Sequence, residues 1–75
     1  MEGSRLVELA AVMAQLRREC AWKAGQTHAS LVRYLLEETY EVVEAIEDGT
    51  HDDLREELGD LLLQIYFHAA IADEA

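Results

Sequence analysis

An all-α fold is what this sequence predicts, in the form of an antiparallel helical hairpin preceded by an N-terminal helix. Three observations carry that prediction. Apolar residues recur every three or four positions through most of the chain, the periodicity of helices with one buried face. Proline is absent, and the breaks between periodic stretches fall near Gly25 and Gly49. The last stretch is apolar on every side, more surface than two neighbouring helices cover, and 75 residues make only a marginal core. A partner copy is therefore expected to complete a four-helix-type bundle, as a dimer or a dimer of dimers.

The first helix is expected from about Ser4, a residue type suited to an N-cap, to about Cys20, with Leu6, Leu9, Met13 and Leu16 on one face. The second is expected from Thr27, also a capping type, to Asp48, with Gly49 placed just past its end. Leu31, Leu35, Val42 and Ile46 form its apolar stripe. The third begins near Asp52 or Asp53, whose charges suit a helix N-terminus, and runs to about Ala72 along Leu54, Leu58, Leu61, Leu62, Ile65 and Ala69. Leu63, Tyr66, Phe67 and Ile71 clothe its remaining sides.

Half of the residues (51%) are hydrophobic, so a formal net charge of -10 does not make this a disordered acidic tail. Sixteen acidic against six basic side chains repel a nucleic-acid polymer or an anionic membrane, and neither is expected as a partner; a cation is the natural ligand. One cysteine, Cys20, forms no internal disulfide, and no apolar run suits a signal peptide or a membrane span. A reducing cytoplasm is the expected setting.

The carboxylates are the chemical signal. On the second helix Glu38 projects from the apolar face between Leu31 and Val42, with Glu41 one turn on at its edge; on the third, Glu57 and Asp60 repeat the three-residue spacing beside Leu61. Counted from the turn at Gly49, Glu41 lies about as far back as Glu57 lies forward, so a hairpin brings the two pairs face to face. Four carboxylates so placed repel one another unless they take up protons or hard cations. Oxygen ligands alone favour magnesium or manganese over zinc. The bland alternative is a solvated acidic surface, which is the reading given to Glu44, Glu47, Asp48, Asp52, Asp53 and Glu56. A di-iron carboxylate bundle is set aside because no Glu-x-x-His occurs; His68, on the stripe of Glu57, Asp60 and Gln64, is left outside the metal shell.

Glu37-Glu38-Thr39-Tyr40-Glu41 followed by Glu57-Leu58-Gly59-Asp60 resembles the EExxE and ExxD signature of MazG-type nucleoside triphosphate pyrophosphohydrolases. The resemblance extends from Cys20 to Ala72, through Trp22, the Gly25-Gln26-Thr27-His28 segment and the run ending at Gln64. One MazG-like domain over residues 1–75 is implied, with 20–72 as its best-matching stretch. The family commonly reads Cys-Pro-Trp-Asp where this chain has Cys20-Ala21-Trp22-Lys23, so a proline-set turn is lost and an acid becomes a base. Family domains continue into a further basic helical part, so a chain stopping at Ala75 is a short form, a truncation or one module of a larger protein.

The resemblance implies hydrolysis of NTP or dNTP between the α and β phosphates, to a nucleoside monophosphate and pyrophosphate, as nucleotide-pool housecleaning. It implies Glu38, Glu41, Glu57 and Asp60 as ligands of more than one Mg²⁺ (or Mn²⁺), and Glu37 with Glu41 as the catalytic carboxylates, Glu37 orienting or deprotonating the attacking water. The nucleoside is expected between the first two helices, where Trp22 either stacks on the base or plugs the core. Gln26 is a candidate base contact, Lys23 a phosphate contact, and Gln64, one turn beyond Asp60, a contact either to substrate or to the groups behind the metal ligands. The alternative function is a non-catalytic MazG module that dimerises.

Overall fold

A computed structural model of the protein describes residues 3–74; residues 1, 2 and 75, the ends of the expected domain, lie outside the described residues. Four helices follow one another: α1 (Gly3–Glu19), α2 (Ala21–Ala24), α3 (His28–Asp48) and α4 (His51–Ala72). No strand occurs among the described residues, so the fold is all-α. Helix α4 is central, with α3 along one side and α1 along another, while the one-turn α2 packs on α1.

Two capping boxes set the hairpin. The Thr27 hydroxyl accepts from the Ser30 backbone N–H at 3.0 Å, and the Thr27 N–H donates to the Ser30 hydroxyl at 2.9 Å. Thr50 and Asp53 make the same reciprocal pair at the start of α4, at 3.0 and 3.1 Å. Each pair satisfies donors that a helix start leaves without partners. Thr27 thus caps as expected, whereas α4 begins before its expected acidic start: Thr50 is the cap, and Asp53 acts as the third helical residue. Ser4 lies inside α1 rather than ahead of it.

The turn between α3 and α4 needs Gly49 for space rather than for handedness. Its backbone is extended, with φ -95° and ψ -179°, a conformation open to any residue. A Cβ there, however, would stand 3.0 Å from both the Cα and the carbonyl oxygen of Ala45, and 3.2 Å from the Cβ of Asp53. The close return of the chain is what excludes a side chain.

Helix α2 was not anticipated from the sequence. Its C-terminal end is held by Arg17, whose guanidinium donates to the backbone oxygens of Lys23 and of Gln26 in the loop that follows, and pairs with Glu74 at 2.7 Å. A cationic donor from α1 thus binds backbone oxygens at the end of α2 and just beyond it, in a segment that lacks a proline.

The core sits at the open end of the hairpin, where Met13, Leu31 and Phe67 are buried together and Leu9, Tyr66 and Ile71 pack around them. Val42 and Ala45 are buried nearer the turn. Much apolar surface stays uncovered. Val32, Leu36, Tyr40 and Val43 make an exposed stripe on α3, and Leu58, Leu62 and Ile65 make one on α4.

Candidate functional site

The antiparallel register decides which side chains meet. Glu38 and Glu41 stand one turn apart on α3, and Glu57 opposes them from α4; carboxylate oxygens of these three all lie within 4.8 Å of one another. Facing α4 aims Glu38 inward, and its Oε2 is shielded from solvent with no hydrogen-bond partner. Glu57 Oε1 is in the same condition. Two shielded carboxylate oxygens without donors are unfavourable as they stand, and protons or hard cations relieve them.

Titration behaviour follows. Burial pushes the Glu57 carboxyl up to about 7, helped by a hydrogen bond to Glu41 and by the charges of Glu41, Asp60 and Glu38. Burial likewise raises Glu38, followed by the charges of Asp60, Glu41 and Glu37. Both shifts favour proton uptake by the cluster, and a divalent cation would compete with those protons. Oxygen-only donors and unsatisfied buried oxygens fit Mg²⁺ or Mn²⁺.

Asp60 is not one of the three whose oxygens lie within 4.8 Å of one another, although its charge acts on Glu38 and Glu57. It lines, with Glu38 and Gln64, one end of a cleft of about 530 Å³. The other end is aromatic and apolar: Trp22, Tyr34 and Phe67 with Leu31 and leucines of α1. The rings of Trp22 and Tyr34 meet edge to face at 6.3 Å. Lys23 enters the same cleft, its Nζ 5.5 Å from the Trp22 ring centroid and 5.3 Å from that of Phe67. The Gln64 Oε1 is shielded and has no partner.

Two of the expected site residues lie elsewhere. Glu37 faces the outer side of α3, 3.9 Å from Arg33, with both side chains largely exposed. Gln26 is engaged in the loop: its amide donates to the Trp22 carbonyl at 3.2 Å, and its Oε1 accepts from the Ser30 hydroxyl at 2.8 Å. Gln26 does not line the cleft.

Tyr34, Phe67 and Arg17 were not singled out as site residues. Tyr34 precedes Glu38 by four residues and Phe67 follows Gln64 by three, so the helical stripes of the acids already led to both. Arg17 gave no such signal, since its partners are backbone oxygens of a loop. His68 also acquires a neighbour: its ring stacks on His28 at 5.1 Å, with the two Nδ1 atoms 2.8 Å apart. Burial first, then His28, lowers the His68 pKa.

Comparisons with known proteins identify the family. The MazG nucleotide pyrophosphohydrolase domain matches residues 26–75. Over 73 residues the chain is 59% identical to the nucleoside triphosphate pyrophosphohydrolase of Mycobacterium tuberculosis, covering 97% of this chain and 22% of that protein. It is 52% identical over 74 residues to the nucleoside triphosphate pyrophosphohydrolase/pyrophosphatase MazG of Thermotoga maritima, covering 96% of this chain and 29% of that protein. With the nucleoside triphosphate pyrophosphohydrolase of Escherichia coli strain K12 the identity is 46% over 74 residues, 95% of this chain and 28% of that protein. The chain thus spans about a quarter of the length of these relatives. It belongs to the MazG nucleotide pyrophosphohydrolase domain family.

Proposed function

We propose that this domain hydrolyses nucleoside triphosphates between the α and β phosphates, releasing a nucleoside monophosphate and pyrophosphate, with Glu38, Glu41, Glu57 and Asp60 holding divalent cations. The observation that carries the reading is the convergence of Glu38, Glu41 and Glu57 beside a cleft large enough for a nucleoside, with two shielded carboxylate oxygens lacking donors. When bound, Mg²⁺ or Mn²⁺ ions supply charge neutralisation for a polyphosphate of about four negative charges and make water a better nucleophile.

The chain's own residues divide the remaining work. The crowded site favours proton uptake at Glu57 and Glu38, and once deprotonated they leave an anionic face that accepts a triphosphate only together with cations. Glu41, at the exposed edge of the cluster, is the carboxylate placed to orient the attacking water and to take up its proton. Glu37 acts indirectly, adding negative charge beside Glu38. The aromatic part of the cleft, Trp22 with Tyr34, takes the base, and Gln64, which lines the same cleft, has a shielded amide oxygen without a partner. Gln26 supports the loop that carries Trp22.

Assembly belongs to the same proposal. Leu36 and Ile46 are 64% and 65% exposed, on a hairpin face whose apolar stripes continue across both helices, and a second copy is the economical cover. The domain works in this reading as a homo-oligomer in the cytoplasm, on nucleotide-pool substrates. Among the described residues no helix is long and apolar enough to cross a membrane.

The test is pyrophosphate release from a panel of NTPs and dNTPs, with and without Mg²⁺, for the wild type and Glu41→Gln. Disturbing residues behind a metal ligand already costs about 10- to 100-fold, so a direct ligand should cost at least about 100-fold. Magnesium-independent release, or release that survives Glu41→Gln, sinks the reading.

A further inference from the structure

Among the described residues Lys23 is the one cation that lines the cleft, and its position decides what it can read. The ammonium lies between an exposed indole and a buried phenyl ring, 5.5 Å from the Trp22 centroid and 5.3 Å from that of Phe67. It forms no ion pair with Glu38 or Asp60 among the described residues, although both acids line the same cleft. The Arg17 guanidinium, bound to the Lys23 carbonyl, anchors the backbone from which this side chain projects. A base packed beside Trp22 has this ammonium as the donor within reach of its edge, while the phosphates lie toward the acids.

We infer that Lys23 is a specificity-determining residue that reads the base, favouring nucleotides whose base carries a keto group, the 6-oxopurines and 4-oxopyrimidines, over those with an exocyclic amino group there. This rests on the proposed pyrophosphohydrolase function and deepens it. An ammonium has three donors and no acceptor, so it matches a carbonyl oxygen and opposes an amino group. On a 6-oxopurine the neighbouring ring nitrogen is a second acceptor, the O6/N7 pair on which lysine and arginine commonly settle. On adenine the same ring nitrogen sits beside an amino donor that the ammonium repels. The aromatic walls strengthen the contact, because they keep the lysine partly desolvated over two ring faces.

The experiment compares kcat/KM for GTP, ITP and UTP with that for ATP and CTP, in the wild type, Lys23→Met and Lys23→Arg. A hydrogen bond to a charged donor corresponds to a preference of roughly 10- to 100-fold for the keto bases. The preference is expected in the wild type, lost in Lys23→Met and restored in Lys23→Arg. Equal loss on all five nucleotides makes Lys23 a phosphate contact and overturns the inference, as does a wild type without keto preference.

Binding separates this inference from the catalytic reading. Trp22 is the only tryptophan, so its fluorescence reports on the base end of the cleft. If quenching by GMP and IMP in Mg²⁺ exceeds quenching by AMP while no triphosphate is hydrolysed, base recognition stands and catalysis falls. If hydrolysis proceeds but GMP and AMP quench alike in both wild type and Lys23→Met, base reading by Lys23 falls and catalysis stands.

Discussion

The two ends of the α3–α4 hairpin do opposite things for stability. At the open end, Met13, Leu31 and Phe67 are buried among themselves, and Arg17 ties α1 to the loop and to Glu74. Toward the turn, the same two helices carry Glu38, Glu41 and Glu57 in mutual reach, with shielded oxygens that lack donors. One end holds the fold together; the other gives up stability to keep a ligand site. A substitution that removes a side chain should therefore harm the first end and relieve the second.

The largest effect should come from Leu31→Ala, since Leu31 is 2% exposed at the junction of three helices. Thermal or urea unfolding should register a loss of about 3 kcal/mol, the usual cost of such a cavity. A loss well under half of that would mean that the open end is not the stabilising one. Arg17→Met should follow, lowering the melting temperature by several degrees and reducing the fluorescence anisotropy of Trp22, because the Lys23 and Gln26 carbonyls lose their donor. Its stabilisation by Mg²⁺ should persist, since Arg17 lies at the other end.

Gly49→Ala probes the turn that sets the acids in register. A methyl 3.0 Å from the Ala45 backbone forces the chain apart and should cost about 1 kcal/mol or more. It should also weaken the Mg²⁺-induced rise in melting temperature, by displacing Glu57 relative to Glu41. Unchanged metal response in that variant would uncouple the turn from the site.

Smaller, and opposite in sign, is Glu57→Gln. Removing one of three crowded carboxylates should raise the metal-free melting temperature at pH 8 while blunting the further rise on adding millimolar Mg²⁺. The pH dependence follows the same logic. Glu57 titrates at about 7 in the folded chain against an ordinary 4.5, so the native state holds the extra proton between those values. Its stabilising contribution is complete below about pH 4.5 and is lost as pH rises through about 7 in the absence of metal. The lowered His68 works the other way, contributing stability above its ordinary 6.5 and losing it on acidification. Scans of wild type and Glu57→Gln from pH 4 to 8 should differ in the alkaline limb and agree in the acid loss from His68. Identical curves would remove Glu57 from the account.

The acidic end was legible in the sequence and the aromatic end was only partly so. Helix periodicity and the break at Gly49 place Glu38, Glu41 and Glu57 together without knowledge of any contact, because an antiparallel hairpin with a tight turn has one register that buries both apolar stripes. Thr27 and Asp48 bounded α3 for the same local reason. The loop between α1 and α3 obeys no period. Gln26 was expected against the base and instead bonds the Trp22 carbonyl and Ser30, while Glu37 turned outward to Arg33 because a one-residue step from Glu38 rotates a helical side chain by about 100°.

By itself the sequence determined the all-α class, the hairpin, the facing carboxylates and the family resemblance, since all of these follow from spacing along single helices and from one turn. Only the tertiary structure decided that Asp60 lines the cleft with Glu38, that Lys23 lies near both Trp22 and Phe67, and that His68 meets His28. Those outcomes depend on how α1 and the loop settle against α4, through an arginine binding backbone oxygens six and nine residues away and a carboxylate 57 residues away. Such contacts have no signature in local periodicity, because their partners are brought together by packing and not by the chain's own repeat.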